Sequence, residues 1–423
     1  MFINIEYNLN LIKTSFLTFI STAIKIIAGL IINKAVSIYI GPSGIALIGQ
    51  FQNTSQVALT LAQGGVNKGV TKYTAEYSSD TTKQAELWST SLKIVTFCSV
   101  VVGLALIVFC KYLSEYTLNT EKYTYVFVVF GFTVIFFSIN QLLLSILNGL
   151  KEIRTFISIN ITQSIYSLIF TTALVIAWGL DGALIALVSN QSVVFITVLW
   201  RLRKHKLIVM NNFLTKFNKT ESRKLLSYSL MALTSVCTVP ISLMFVRNYL
   251  GEHLSWDAAG YWQSMWYISS VYLMVITTAL STYYLPRLSE ITTKIELREE
   301  LKQGYKIIIP IVIVLSLSIY LLREFIVWLL FSEEFKPMLH LFKWQLIGDV
   351  IKISSWLIAY IMLAKAMVKS FIITEMVFAL SFVLFAVYFV DGFGLIGMTY
   401  AYTLNYIIYF FTILFVIKGK IFD

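Results

Sequence analysis

Residues 41–76 read GPSGIALIGQFQNTSQVALTLAQGGVNKGVTKYTAE. Gly41-Pro42 opens the stretch as a turn, since proline fixes one backbone angle and glycine frees its neighbour. From Ile45 an apolar run follows, long enough to span a membrane, and it closes in the basic segment Lys68 to Lys72. Gln50, Asn53, Gln56, Thr60, Gln63 and Asn67 recur at steps of three and four, so they share one helical face. Hydrocarbon cannot satisfy their hydrogen bonds, so the stripe is expected to face protein or water and to line an interior.

The same design returns in Gly260 to Glu290, GYWQSMWYISSVYLMVITTALSTYYLPRLSE, with Gln263, Ser269, Ser270, Thr277, Thr278 and Ser281 along it and Arg287 near its end. Arg154-Thr155-Phe156-Ile157 matches Lys369-Ser370-Phe371-Ile372, and Gly182-Ala183-Leu184-Ile185 resembles Gly394-Leu395-Ile396-Gly397. Three matches in one order, offset by about half the chain, are the repeat logic of a secondary transporter.

Composition sets the class. Of the 423 residues 58% are hydrophobic and 13% charged, at mean hydropathy +0.78, whereas a soluble domain carries about 25% charged residues. The chain reads as an all-α polytopic membrane protein. Its net charge of +11 reflects Lys and Arg gathered in cytoplasmic loops rather than nucleic-acid binding. Cys98, Cys110 and Cys237 lie in apolar runs at no metal-ligand spacing and read as packing residues. The first apolar run contains Lys25 and lacks a small-residue cleavage site, so it reads as a transmembrane helix rather than a signal peptide.

About twelve spans are expected, at 12–33, 43–66, 92–110, 124–148, 156–178, 182–200, 226–249, 258–284, 305–322, 343–365, 370–390 and 394–417. Phe325–Phe331 is too short to cross, and Pro240 and Pro310 fall inside spans, where proline usually kinks a helix. A six-helix lobe over 1–204, a basic cytoplasmic linker over 205–224 and a second six-helix lobe over 225–423 follow. The Lys and Arg bias places both termini in the cytoplasm, with a pseudo-symmetry axis along the membrane normal and a central cavity.

Lys25 is the sharpest candidate, with Ser21, Gly29 and Asn33 on its face. A central lysine costs about 2.5–3.5 kcal/mol on insertion scales, so it should face an interior and meet an anion, or snorkel. Asp349 and Lys352, three apart with Gln345 and Trp356 on the same face, read either as a self-neutralising pair or as an ion-coupling or headgroup site. Arg247 suits an anion or an interfacial anchor. Lys68, Lys72 and Arg287 fit positive-inside placement or a cytoplasmic entrance for a phosphorylated lipid. Glu375 is a proton site if buried, and Trp262, Trp266, Tyr267 and Tyr272 are sugar-stacking or packing rings. His205, His253 and His340 are scattered, and no phosphate-cradling GxxxxGK[ST] loop occurs. The residues therefore point to a transporter without cofactor or cis ATPase, not to an enzyme.

GPSGIALIGQF, GVNKGVTKYTAEY, SLMALTSV, YLPRLSEIT and WQLIGDVIK together resemble the bacterial flippases for polyprenyl-pyrophosphate-linked oligosaccharides. These form the polysaccharide branch of the superfamily that also holds multidrug exporters and the peptidoglycan-precursor flippase. The resemblance covers essentially the whole chain and is nearest to the flippases for O-antigen units and for the enterobacterial common antigen lipid-linked trisaccharide. It implies two six-helix lobes and alternating access in the bacterial inner membrane. The implied cargo is undecaprenyl-pyrophosphate-linked O-antigen oligosaccharide moving from the cytoplasmic to the periplasmic leaflet. An O-antigen polymerase, a ligase and a chain-length regulator are implied as functional associates, besides membrane lipids. Pyrophosphate binding would fall to Lys25, Arg247 and Lys352, and ion coupling to Asp349 or Glu375. Polar cavity lining would come from Asn33, Gln50, Asn53, Gln56, Thr60, Gln63 and Gln263. Cation-coupled drug exporters carry an acid in the first helix where this chain offers Lys25, which argues against a cationic drug as cargo.

Overall fold

The computed structural model describes residues 2–203, 208–291, 293–365 and 367–421, with side chains from Ile20 to Lys418 apart from those of residues 191, 227, 231, 279, 282, 285, 286 and 290. In the described residues the regular elements are helices. The first eight are α1 (Phe2–Tyr39), α2 (Gly41–Ala62), α3 (Asn67–Glu76), α4 (Thr81–Val108), α5 (Cys110–Leu118), α6 (Thr124–Gly149), α7 (Ile153–Leu202) and α8 (Lys219–His253). There follow α9 (Trp256–Ala279), α10 (Leu285–Glu290), α11 (Lys294–Leu321), α12 (Arg323–Leu330), α13 (Phe342–Ala364), α14 (Val368–Phe393) and α15 (Gly397–Ile421).

Eight stretches among the described residues are long and apolar enough to cross a membrane, and two of them, 153–202 and 368–418, hold two helical segments each. α2 and α9, of 22 and 24 residues, have spanning length as well, but their polar residues keep them outside that apolar set. These segments account for the expected spans. Pro240 and Pro310 lie within α8 and α11, which remain continuous through them. The short Phe325–Phe331 stretch forms a separate helix, α12, divided from α11 at Leu322.

The helix breaks follow from backbone chemistry. Gly41 adopts φ +75° between α1 and α2, and Pro42 then opens α2 with its angle preset. The polar stripe does not run along one helix to Asn67. α2 stops at Ala62, because Gly64 and Gly65 take φ of +60° and +63°, a region L-residues avoid. A Cβ at Gly65 would also lie 2.9 Å from the Ser229 Cα. Gln63 caps α2 and Asn67 opens α3, and the Asn67 Nδ2 donates to the Gln63 Oε1 across the break at 2.6 Å. The second copy breaks differently, through a π-helical turn at Leu280–Tyr284 before α10.

The repeat register is corrected by the glycines. Gly179 in α7 and Gly394 after α14 both have positive φ, of 55° and 63°. Three residues on, Gly182 and Gly397 each sit against the carbonyl eight residues back: a Cβ would lie 1.9 Å from the Leu174 oxygen and 2.1 Å from the Phe389 oxygen. Gly182 therefore pairs with Gly397, not with Gly394. The offset is then the one that separates Arg154 from Lys369, Lys72 from Arg287, and the start of α2 from that of α9. Gly260, matched to Gly41 in the sequence, does a different job. A Cβ there would meet the Pro42 oxygen at 2.0 Å, so it is the gap that admits the first turn of α2.

The chain divides into two compact units, one of residues 1–40 and 50–240, the other of 41–49 and 241–423. The division runs through α2 and through α8 at Pro240, whereas the sequence placed it in the loop before α8. Of that loop, residues 204–207, with Lys204, His205 and Lys206, lie outside the described residues. The rest is fastened to α4: Ser89 Oγ donates to the Thr215 carbonyl at 2.7 Å, Lys93 Nζ to the same carbonyl at 2.6 Å, and the Asn218 amide to Thr90 Oγ1 at 3.0 Å.

In the first unit, α4 and α6 cross where Gly103 meets Gly131, with room for no Cβ (2.6 Å to the Gly131 carbonyl). Such close backbone approach replaces the hydrophobic drive that helices lack in lipid. Trp88, 1% exposed, anchors the core at the α3 end and donates from Nε1 to Thr74 Oγ1 at 2.9 Å. The second unit is organised around α13, packed between α11 and α15.

Candidate functional site

In the first unit a cavity of about 840 Å³ lies among α1, α3, α6 and both segments of α7. Its lining joins Lys25 to polar ladders from two other helices: Gln141, Ser145 and Asn148 on α6, and Asn160, Gln163, Ser164 and Ser167 on α7. Each ladder recurs at three- and four-residue steps, which aims it at one side of its helix. Ala28 and Gly29 on α1 keep that wall low next to Lys25. No carboxylate lines the cavity among the described residues.

Hydrogen bonding decides which groups stay open to a ligand. Ser145 Oγ turns back to the Gln141 carbonyl at 2.8 Å, Ser164 Oγ to the Asn160 carbonyl at 2.8 Å, and Asn160 Nδ2 to the Phe156 carbonyl at 3.0 Å. Asn190 Nδ2 donates to Ser167 Oγ. The side chains of Lys25, Asn148 and Gln163 make no hydrogen bond or ion pair among the described residues. Lys25 is exposed into this space, so it brings a basic side chain into an amide-rich recess that holds no acid among the described residues. Such a recess attracts an anion and offers donors and acceptors to hydroxyl-bearing cargo.

The other sequence candidates lie elsewhere. None of the α2 stripe, and neither Asn33 nor Gln263, lines this cavity. Gln50 is buried; Asn53 is half-buried with its Nδ2 unpartnered; Gln56 is exposed and its carbonyl accepts from Thr60 Oγ1 at 2.9 Å. Asn33 is half-buried on α1. Arg247 is no interfacial anchor: it is 1% exposed and donates from Nη2 to Gln263 Oε1 at 2.6 Å, while Gln263 rests on Gly49. Lys68 and Lys72 are exposed on α3, with the Lys72 ammonium 4.7 Å from the Tyr73 ring centre. The neighbouring Tyr228 hydroxyl raises the pKa of Lys72 above its ordinary value. Arg287 pairs with Glu300 at 3.3 Å. Glu375 is half-buried on α14.

Asp349 and Lys352 form no direct ion pair. The Asp349 carboxylate, 0% exposed, accepts from Ser269 Oγ at 2.7 Å, Tyr272 OH at 2.8 Å and Tyr402 OH at 2.8 Å. Lys352 lies instead in a box of four rings: Trp356 at 5.0 Å, Trp266 at 5.3 Å, Tyr406 at 5.5 Å and Tyr402 at 5.7 Å. Trp356 is the one partner that local spacing along α13 reveals; the other rings and all three hydroxyls come from α9 and α15. Among the described residues no cluster of His, Cys, Asp and Glu could hold a metal.

A multi-helix membrane fold with a polar, amide-lined cavity is the architecture of a transporter. The family of polysaccharide biosynthesis proteins matches residues 11–292, and the chain belongs to that family. The lipid III flippases of Escherichia coli (strain K12) and Shigella flexneri are each 30% identical to it over 405 residues, 95% of this chain and 97% of theirs. Among solved structures, an inward-facing multidrug resistance MATE family transporter of the MOP superfamily aligns at TM-score 0.75 and 15% identity, over 92% of this chain and 94% of that one. The lipid II flippase MurJ, in an inward closed conformation, aligns at TM-score 0.72 and 15% identity, over 96% of this chain and 87% of that one. At such identities the likeness establishes the fold.

The ladders on α6 and α7 are the site residues that sequence reasoning missed. Their signal was the one used for α2, polar residues at three- and four-residue steps within an apolar run.

Proposed function

We propose that the protein is a flippase that moves undecaprenyl-pyrophosphate-linked O-antigen oligosaccharide from the cytoplasmic to the periplasmic leaflet of the inner membrane. The observation that carries the reading is the cavity around Lys25, lined by amides and by no carboxylate among the described residues. A pyrophosphate and its sugars are too polar for hydrocarbon, whereas the polyprenyl tail can remain in it. A recess of about 840 Å³ falls in the range of ligand pockets, so it suits a saccharide head and not the long tail. Lys25 binds the phosphate charge, the amides solvate the sugars, and alternating access follows from differential affinity for cargo in the two states.

The remaining roles belong to the same reading. The transport lobes are the repeat halves 1–204 and 225–423, a division distinct from that of the two compact units; both termini are cytoplasmic, and Lys68, Lys72 and Arg287 edge the cytoplasmic entrance. Arg247 and Lys352 give the second lobe its positive charge, and Asp349 and Glu375 are the acids available for ion coupling. An O-antigen polymerase and a chain-length regulator act on the delivered unit. The lipid III flippase relatives make lipid III, and with it the common-antigen trisaccharide lipid, the second cargo to test. A cationic drug antiporter is disfavoured by a cavity that has Lys25 and no acid among the described residues.

The test reconstitutes the protein in liposomes with a fluorescent polyprenyl-pyrophosphate saccharide and follows the pool reached by an impermeant quencher. A charge-assisted hydrogen bond is worth about 1.5–3 kcal/mol, so Lys25→Ala should slow exposure of the hidden pool about ten- to a hundredfold. A wild type that moves no saccharide, under proton or sodium gradients of either sign, would sink the reading.

A further inference from the structure

Resting on that reading, we infer that Asn148 and Gln163 are the residues that select the sugar, and that they admit saccharides with neutral or acidic substituents while rejecting those with a free amino group. Both side chains line the cavity around Lys25, one from the last turn of α6 and one from the first segment of α7. The neighbouring polar groups are largely committed to protein. Ser145, Ser164 and Asn160 bond within their own helices, and Ser167 accepts from Asn190. Asn148 and Gln163 have no such partner among the described residues, so each presents a full carboxamide to the ligand, one acceptor oxygen and two N–H donors.

The chemistry of this pair sets the class of sugar. A carboxamide pairs with hydroxyl or acetamido groups, each of which both donates and accepts, and its uncharged oxygen neutralises no cation. A protonated amino sugar would stand beside Lys25 with no carboxylate among the described residues of the cavity wall to offset it, and juxtaposed like charges repel. An acidic substituent meets two amide donors and a cation. Discrimination therefore comes from what the wall lacks as much as from what it offers.

Changing a carboxamide into its isosteric acid tests this directly, since Gln163→Glu and Asn148→Asp alter charge and leave shape. The probes are polyprenyl pyrophosphate carrying an acetamido sugar, the same sugar with a free amine, or no sugar, each assayed in liposomes at neutral pH. Wild type should move the acetamido probe at least tenfold faster than the amine. Either acid variant should raise the amine-to-acetamido ratio by tenfold or more, and the sugar-free probe should keep its wild-type preference over Lys25→Ala. The double variant Asn148→Ala/Gln163→Ala should slow the acetamido probe by tenfold or more, and so narrow its lead over the amine without removing it, because Lys25 still repels the amine. A wild type that moves the amine as fast as the acetamido probe overturns the inference, as does an unmoved ratio in both acid variants. If Lys25→Ala still slows all three probes in that case, the flippase reading stands while the selector falls. Failure of wild type on every probe removes the flippase reading itself.

Discussion

Removing Asp349 strands a lysine. Asp349 accepts three hydroxyl donors at 2.7–2.8 Å and is 0% exposed, while Lys352, one turn on along α13, has four rings around its ammonium and is coupled to Asp349 through space, without a direct ion pair. Hydrogen bonds to a charged group are worth about 1.5–3 kcal/mol each, but desolvation of the carboxylate cancels much of their sum. The net cost of deleting one partner of a buried charge pair is about 3–5 kcal/mol, most of it the uncompensated charge left behind. Asp349→Ala should therefore destabilise the protein by about that amount. Lys352→Met fills the ring box with an apolar chain of similar length, so Asp349→Ala/Lys352→Met should recover at least about 2 kcal/mol of the summed single losses. The assay is reversible denaturant unfolding of the purified protein in detergent micelles, read by tryptophan fluorescence for wild type, both single variants and the double. Strict additivity of the two losses would refute the coupling, and would mean that the rings alone hold Lys352 while the hydroxyls alone hold Asp349.

Other outcomes follow from single contacts. Gly260→Ala would force a Cβ to 2.0 Å from the Pro42 carbonyl, so overpacking should cost about 1–3 kcal/mol or more, seen as a lower unfolding midpoint in detergent. Trp88→Phe keeps the apolar core but leaves Thr74 Oγ1 without its donor, a loss of about 1–3 kcal/mol. In the same measurement Thr74→Val should add little to it, because the pair acts as one unit. Arg247→Met should leave flipping of the sugar-free polyprenyl pyrophosphate within about threefold of wild type, because the guanidinium is buried against Gln263. A larger loss in the liposome assay would give Arg247 a direct part in anion binding.

The sequence by itself determined the class of fold, most of its helices and the one lysine of the first helix that lines the cavity. An apolar run of spanning length leaves the backbone one way to satisfy its hydrogen bonds, so composition and length decide helix and membrane together. Lys25 was legible for a related reason: a charge in such a run needs an interior, whatever the partners. The turns at Gly41 and around Gly179 and Gly394 were written locally too, because positive φ selects glycine.

Tertiary structure decided everything that depends on which helix faces which. The α2 stripe and the α6 and α7 ladders have the same period, and only packing sent the ladders to the Lys25 cavity. The pairing of Gly182 with Gly397 emerged from two carbonyl contacts, since a glycine-rich tetrapeptide matches itself in several registers. Asp349 and Lys352 look like natural partners at a spacing of three, yet α9 and α15 supply hydroxyls to one and rings to the other. Local spacing fixes which side chains can meet along one helix. The faces that adjoining helices turn toward them are set by close packing over the whole unit, and no short window of sequence contains that information.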